Sequence, residues 1–154
     1  ASRYITHMKK LKDPEEPVSN FIEHIKVLGE KLGPVLFQLP PHWKLNLERL
    51  RSFLDALPAG HRYTFEFRDP SWFEEGVYEA LSDKNAAFCI YELAGRLSPK
   101  EVTADFVYVR LHGPGDAYEG EYDAQTLAGW AGAFSTWVGN ALQVYGYFVK
   151  DQKR

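Results

Sequence analysis

Hydrophobic and polar positions change period several times along this chain, and each change marks an element. Tyr63, Phe65 and Phe67 alternate with Thr64, Glu66 and Arg68, the period of two that gives a strand with unlike faces. Phe106–His112 repeats the pattern, with Val107, Val109 and Leu111 set against Phe106, Tyr108, Arg110 and His112. Shorter apolar runs at Val35–Leu39, Ala87–Tyr91 and Val144–Val149 predict further strands, and Ala1–His7 reads as the end of another. Helical spacing appears at Phe21, Ile25, Leu28 and Leu32, predicting a helix over 19–32. Leu47, Leu50, Leu54 and Leu57 after the expected cap Asn46 predict one over 46–57. Leu127, Trp130, Phe134, Trp137 and Ala141 after Asp123 predict one over 123–141. Val77 and Leu81 give a shorter helical face, weakened by Gly76. Asp69-Pro70 breaks its strand, because proline fixes φ and lacks an N–H, and Ser71 is the expected cap of the turn that follows. The connection from Leu93 to Asp105 carries little helical pattern.

Strands and helices therefore alternate, which implies a parallel sheet with right-handed crossovers. The alternation fits either an open doubly wound sheet or part of a (β/α)8 barrel. No strand leads into a Gly-x-Gly-x-x-Gly or a P-loop pattern, so nucleotide folds gain no specific support. Composition narrows the classes further. The chain has 154 residues, 45% of them hydrophobic, and a formal net charge of -3, an ordinary globular balance sufficient for one core. No apolar run approaches the ~20 residues that span a bilayer, so no membrane role is expected. The slight acidity gives no general electrostatic drive toward nucleic acid. Cys89 is the lone cysteine, which with the absence of a signal-like N-terminal stretch points to a cytoplasmic setting.

Four stretches carry a family resemblance. Ala-Ser-Arg-Tyr-Ile-Thr-His at 1–7, Phe-Gln-Leu-Pro-Pro at 37–41, Glu-Phe-Arg-Asp-Pro-Ser-Trp at 66–72 and Val-Arg-Leu-His-Gly at 109–113 resemble, in order, the YecE-like family, domain of unknown function 72. The resemblance covers essentially the whole chain. It implies an α/β fold, a partial (β/α)8 TIM-like barrel holding about the third to eighth strands. It also implies a single domain over 1–154 that is an interior-to-C-terminal segment of a larger barrel. Members have unassigned activity. One departure stands out: the usual Tyr-Phe-Asn-Asn-Asp is here Tyr147-Phe148-Val149-Lys150-Asp151, which removes two amides from the end of the last strand.

Barrel strand ends converge on one mouth, where sites are built. They supply Gln38, Glu66, Arg68, Glu92, Arg110 and His112, with His7 and Asp151 as outer candidates. Two arginines suggest an anionic ligand, because guanidinium forks match phosphate or carboxylate oxygens. Gly113, Gly115 and Gly120 lie in the loop where barrel phosphate sites often form, and glycine permits close backbone approach. The expected roles are Arg68, Arg110, Gln38, Gly113, Gly115 and Trp72 for ligand binding. Glu66 and His112 are the acid–base pair, with Glu92 orienting or tuning them. Paired carboxylates also raise glycoside hydrolysis. A metal would need His112 with Glu66, Glu92 or Asp151, and none is expected; the cofactor is left open. Trp72 serves either as an aromatic platform or as a plug. Cys89, mid-strand, reads as core rather than nucleophile.

Two other readings stand beside the enzyme-like anion pocket. One is a nucleic-acid-associated barrel placing the same arginines on phosphate. The other is a non-catalytic structural or interaction fragment in which Glu66 pairs with Arg110 and Glu92 with Arg68. In an isolated segment, open sheet edges invite self-association.

Overall fold

The computed structural model describes residues 10–25, 33–93, 96–112 and 124–148. Within them run α1 (Glu15–Ile25), β1 (Val35–Gln38), α2 (Leu47–Ala56), β2 (Tyr63–Glu66), a 3-10 turn (Pro70–Trp72), α3 (Glu75–Asp83), β3 (Ala87–Leu93), β4 (Arg96–Leu97), β5 (Phe106–Leu111), α4 (Ala124–Gly139) and β6 (Gln143–Phe148). The expectations placed on 1–7, on the second half of the helix over 19–32 with Leu28 and Leu32, on the glycine-rich loop 113–120, on Asp123, on Val149 and on Asp151 lie outside the described residues.

The helices form where the apolar spacing predicts, with corrected ends. α1 begins at Glu15 rather than 19, since Pro17 falls in the first turn, where its missing N–H costs nothing. Glu15 and Glu16 favour the positive end of the helix dipole. Asn46 caps α2 as expected, its Oδ1 accepting the Arg49 N–H at 3.1 Å. α4 stops at Gly139, and Ala141 sits beyond it at φ 62, exposed rather than on the buried stripe. Sequence pattern missed β4, which pairs antiparallel with the end of β3. Ser98 follows it and ties back, exchanging bonds with the Tyr91 main chain through both its N–H and its hydroxyl.

The main strands pair in the order β1-β2-β3-β5-β6, and each of these pairings is parallel. A doubly wound sheet reverses strand order at a switch point and puts helices on both faces; here order follows sequence and one face takes all the described helices. Val35, Phe37 and Leu39, Phe65 and Phe67, Phe88 and Ile90, and Val107, Val109 and Leu111 pack with Val18 and Ile22 of α1, Leu50, Phe53 and Leu54 of α2, Val77 and Leu81 of α3, and Trp130 and Trp137 of α4. That is the winding of a barrel wall.

The sheet is also strongly curled. Arg110 on β5 reaches Gln38 on β1 at 3.4 Å, and Arg62 beside β2 reaches the Tyr145 hydroxyl on β6 at 2.9 Å. In a flat sheet either pair of strands would stand about 14 Å apart. A Cβ on Gly33, at the entry to β1, would lie 3.9 Å from the Tyr147 hydroxyl on β6. The described residues thus form an arc of a (β/α)8 TIM-like barrel, with helices outside and a separate inner face.

Candidate functional site

Strand register turns the inner face into layers. Leu36, Thr64 and Ala87 lie in register, as do Phe106 and Gln143. One layer toward the strand carboxyl ends come Gln38 and Glu66, then Cys89, Tyr108 and Tyr145. Above them Tyr91, Arg110 and Tyr147 are in register, and the Arg68 guanidinium lies over the Tyr91 ring at 4.8 Å. Layered side chains from neighbouring strands are how such barrels fill their interiors. Here the two upper layers carry charge.

Glu66 is the centre of that charge. It is fully buried, and its Oε2 accepts the Arg68 Nε–H at 2.8 Å while Oε1 accepts from Arg110 Nη1 at 2.7 Å. The Cys89 thiol leans on the same Oε1 at 3.6 Å. A buried carboxylate is tolerable only when paired and hydrogen-bonded in this way. The arginine side chains keep 13% and 16% of their exposure, so neither is sealed from solvent. Among the described residues these contacts occupy Nε of one and Nη1 of the other. Each guanidinium presents five donors in a planar fork, a geometry that suits carboxylate or phosphate oxygens.

The backbone break after β2 fixes this arrangement, though not through the expected residue. Asp69, rather than Ser71, caps the 3-10 turn: its Oδ1 accepts the Ser71 N–H at 3.0 Å. An Asx side chain spans two residues naturally, and that bond holds the Asp69 carboxyl below its usual range. Ser71 instead accepts the Leu45 N–H at 2.8 Å. The turn drives Trp72 into the helix-side core. There it is fully buried, stacked on Phe67 at 4.9 Å, with its indole N–H donated to the Trp43 carbonyl at 2.7 Å. Trp72 therefore packs between strand and helices rather than standing at the barrel mouth as a platform or a plug, and with no exposure it has no ring face open to a ligand.

Glu92 needs a second correction. It falls in register with Leu111, on the helix side with Ile90. Its Oε2 accepts the Trp130 Nε1–H at 3.2 Å, and Lys100 lies over the same indole at 4.7 Å. It neither pairs with Arg68 nor joins Glu66. Arg68 pairs with Glu66, while the expected Glu66–Arg110 pair is present. His112 is buried at the end of β5, its main-chain N–H bonded to the Glu92 carbonyl at 2.9 Å. The structure therefore gathers Gln38, Glu66, Arg68 and Arg110, and separates Trp72 and Glu92 from them. Gly113 and Gly115 lie outside the described residues, as do Gly120, His7 and Asp151.

The inner-face tyrosines are what sequence reasoning missed. Burial pushes the Tyr108 hydroxyl up to about 12, with Tyr147 adding to the shift. Burial also raises Tyr91, partly offset by the Arg68 cation. Parity alone puts Tyr108 with Arg110, so the signal was present, but only register aligns Tyr91 and Tyr147 with them. Cys89 fits its reading as core. Burial raises its thiol well above the usual value, Glu66 adds to this, and the arginines oppose it. Among the described residues no three His, Cys, Asp or Glu side chains gather as a metal would require, and no helix is long and apolar enough to cross a membrane.

Known proteins share this frame. The chain is 32% identical over 76 residues to the UPF0759 protein YecE of Escherichia coli K12, and equally to that of strain O157:H7, a stretch covering 49% of this chain and 28% of the relative. A crystal structure of a DUF72 family protein from Thermotoga maritima superposes with a TM-score of 0.80 at 27% identity, covering 97% of this chain and 64% of that one. A DUF72 family protein from Enterococcus faecalis gives 0.68 at 18% identity over 90% of this chain and 62% of its own, a likeness of fold alone. The chain thus spans less than two thirds of these relatives' lengths. Residues 1–154 match the family described as "Protein of unknown function DUF72", and the chain belongs to that family.

Proposed function

We propose that the inner mouth of the barrel binds a small anion between Arg68 and Arg110. The observation that supports this reading is the sharing of one carboxylate by two guanidiniums at the strand carboxyl ends. Among the described residues the network holds two cations and one anion, largely removed from water, a balance that gains from a further negative charge. Glu66 acts as the anchor that sets both forks, since its two oxygens are engaged. Gln38 steadies Arg110 from β1. If the pocket performs chemistry, His112 at the end of β5 is the acid–base candidate, imidazole being the side chain that titrates nearest neutrality.

Calorimetry with inorganic phosphate and sulfate, comparing the wild type with Arg110→Lys, tests the proposal. A point ammonium cannot reproduce the fork, and a lost charged hydrogen bond of roughly 1.5–3 kcal/mol weakens binding about tenfold or more. Equal affinities, or no binding to either protein, would leave Glu66 and its arginines as a purely structural network.

A further inference from the structure

The short strand β4 brings a third arginine to the carboxyl end of the sheet. A strand has two edges for pairing. On β3, Cys89 to Glu92 give one edge to β5, and the other belongs to β2, which meets it only at Ala87 and Phe88. β4 pairs with Glu92 and Leu93, so it lies on the β2 side, in the place β2 leaves where it ends. That is also where Arg68 lies over the Tyr91 ring. Residues directly opposite in an antiparallel pair share a face of the sheet. Arg96 is opposite Leu93, and Leu93 continues the alternation of Ala87, Cys89 and Tyr91, which is the inner side. Arg96 therefore stands on the inner side, one layer beyond Tyr91 and Arg110. Burial raises the Tyr91 hydroxyl; Arg68 pulls it back down, and so, more weakly, does Arg96. Arg96 is exposed and, among the described residues, has no ion-pair partner. The carboxylate of its own hairpin, Glu92, lies on the opposite face with Leu97 and holds Trp130.

We infer that the ligand of this pocket carries two separated anionic groups, one held between Arg68 and Arg110 and the second by Arg96. The inference rests on the anion-binding reading and deepens it by naming the ligand class, a small bisphosphate or a molecule of the same charge pattern. One layer is two residues of strand rise, about 7 Å, so the second group stands a spacer's length from the first. Among the described residues Glu66 balances one of the three cations, which leaves two for a ligand to meet. Arg96 stays hydrated while the pocket is empty. Its contribution comes once the first group is seated, because the second contact is then made within one bound molecule. A single phosphate fills the lower fork and leaves Arg96 to water.

The test is calorimetric titration of the protein with propane-1,3-diyl bisphosphate and with propyl phosphate, on the wild type, Arg96→Gln and Arg96→Lys. The wild type should bind the bisphosphate about tenfold or more tightly than propyl phosphate, the effect of one added charge-assisted hydrogen bond. Arg96→Gln should bring the bisphosphate down to the level of propyl phosphate. Arg96→Lys should keep most of the preference, since a point cation still meets the second phosphate. Unfolding curves on both variants separate a binding effect from a folding one. A preference that survives Arg96→Gln, or a wild type that binds the two probes equally, would overturn the second subsite and spare the anion site. Failure of both probes to bind the wild type would overturn both.

Discussion

The inner face carries arginines at both ends, and the two ends treat them differently. At the amino-terminal end Arg62 donates to the Gln143 side chain and to the Tyr145 hydroxyl, with its guanidinium 5.2 Å from the Phe106 ring centroid. Among the described residues its partners are neutral. At the carboxyl-terminal end Arg68 also lies over an aromatic ring, but it and Arg110 converge on a carboxylate with no exposure of its own. A cation beside water is stabilised by water, so amides and rings suffice for it. Cations drawn into the interior need a counter-charge, and burying that counter-charge in turn demands both of them. The upper end is therefore built around charge, and the lower end only tolerates it.

The largest test of that contrast is Glu66→Gln. The amide keeps the shape and removes the charge, leaving two guanidiniums facing one another across a buried site. Breaking a buried pair on one side costs about 3–5 kcal/mol, measured as a fall in urea unfolding free energy. Phosphate should restore part of the loss, because an anion that binds only the folded variant stabilises it by mass action. A loss below about 1 kcal/mol, the range of exposed pairs, would show that the arginines simply turn to solvent and that the two ends do not differ.

How far this was legible in the sequence depends on the face. The outer face demands apolar side chains at every second strand position and every third or fourth helical one, so periodicity located β1, β2, β3, β5, β6, α2 and α4 to within a few residues. Parity also placed Glu66 with Arg68, and Arg110 with Tyr108. It failed for Glu92, because Ala87–Tyr91 is apolar on both faces and offers no alternation to count from. Glu92 in fact continues the side of Phe88 and Ile90 and meets Trp130. It failed for Trp72 because a strand-end aromatic looks the same whether the following turn leads inward or outward; the Asp69 cap decides that. The row of Arg68, Tyr91, Arg110 and Tyr147 depends on inter-strand register, which crossover packing sets and no single segment encodes.

An intermediate effect appears at alkaline pH. Tyr108 on the inner face and Tyr63 on the outer face are both pushed up to about 12 from 10.0 by burial. Their folded pKa lies above the unfolded one, so between those values the unfolded chain has released protons that the native state still holds. Stability is then fully present below pH 10.0 and falls as pH rises toward 12. Tyr108→Phe should shrink this alkaline loss while retaining the Tyr63 share. Urea unfolding just below and just above pH 10.0 measures the loss directly. An unchanged slope in Tyr108→Phe would mean that the inner face is wet at its middle layer, which would weaken the case for a desolvated charge site above it.

The smallest effect should come from Arg62→Met, which keeps the aliphatic stem and removes the charge. What is lost is a cation–π contact in a half-buried setting and hydrogen bonds to neutral partners, together about 1 kcal/mol. The Gln143 amide lies at an exposed position and the Tyr145 hydroxyl is half-buried, so both can turn to water and no carboxylate is stranded. Phosphate should stabilise Arg62→Met by the same increment as the wild type, since the site it fills lies at the other end of the strands. Urea unfolding with and without phosphate reads both quantities in one experiment. A loss matching that of Glu66→Gln, or a phosphate response abolished by the change, would show that the two ends act as one continuous charged interior. The anion would then have to be sought along the whole inner face rather than at its mouth.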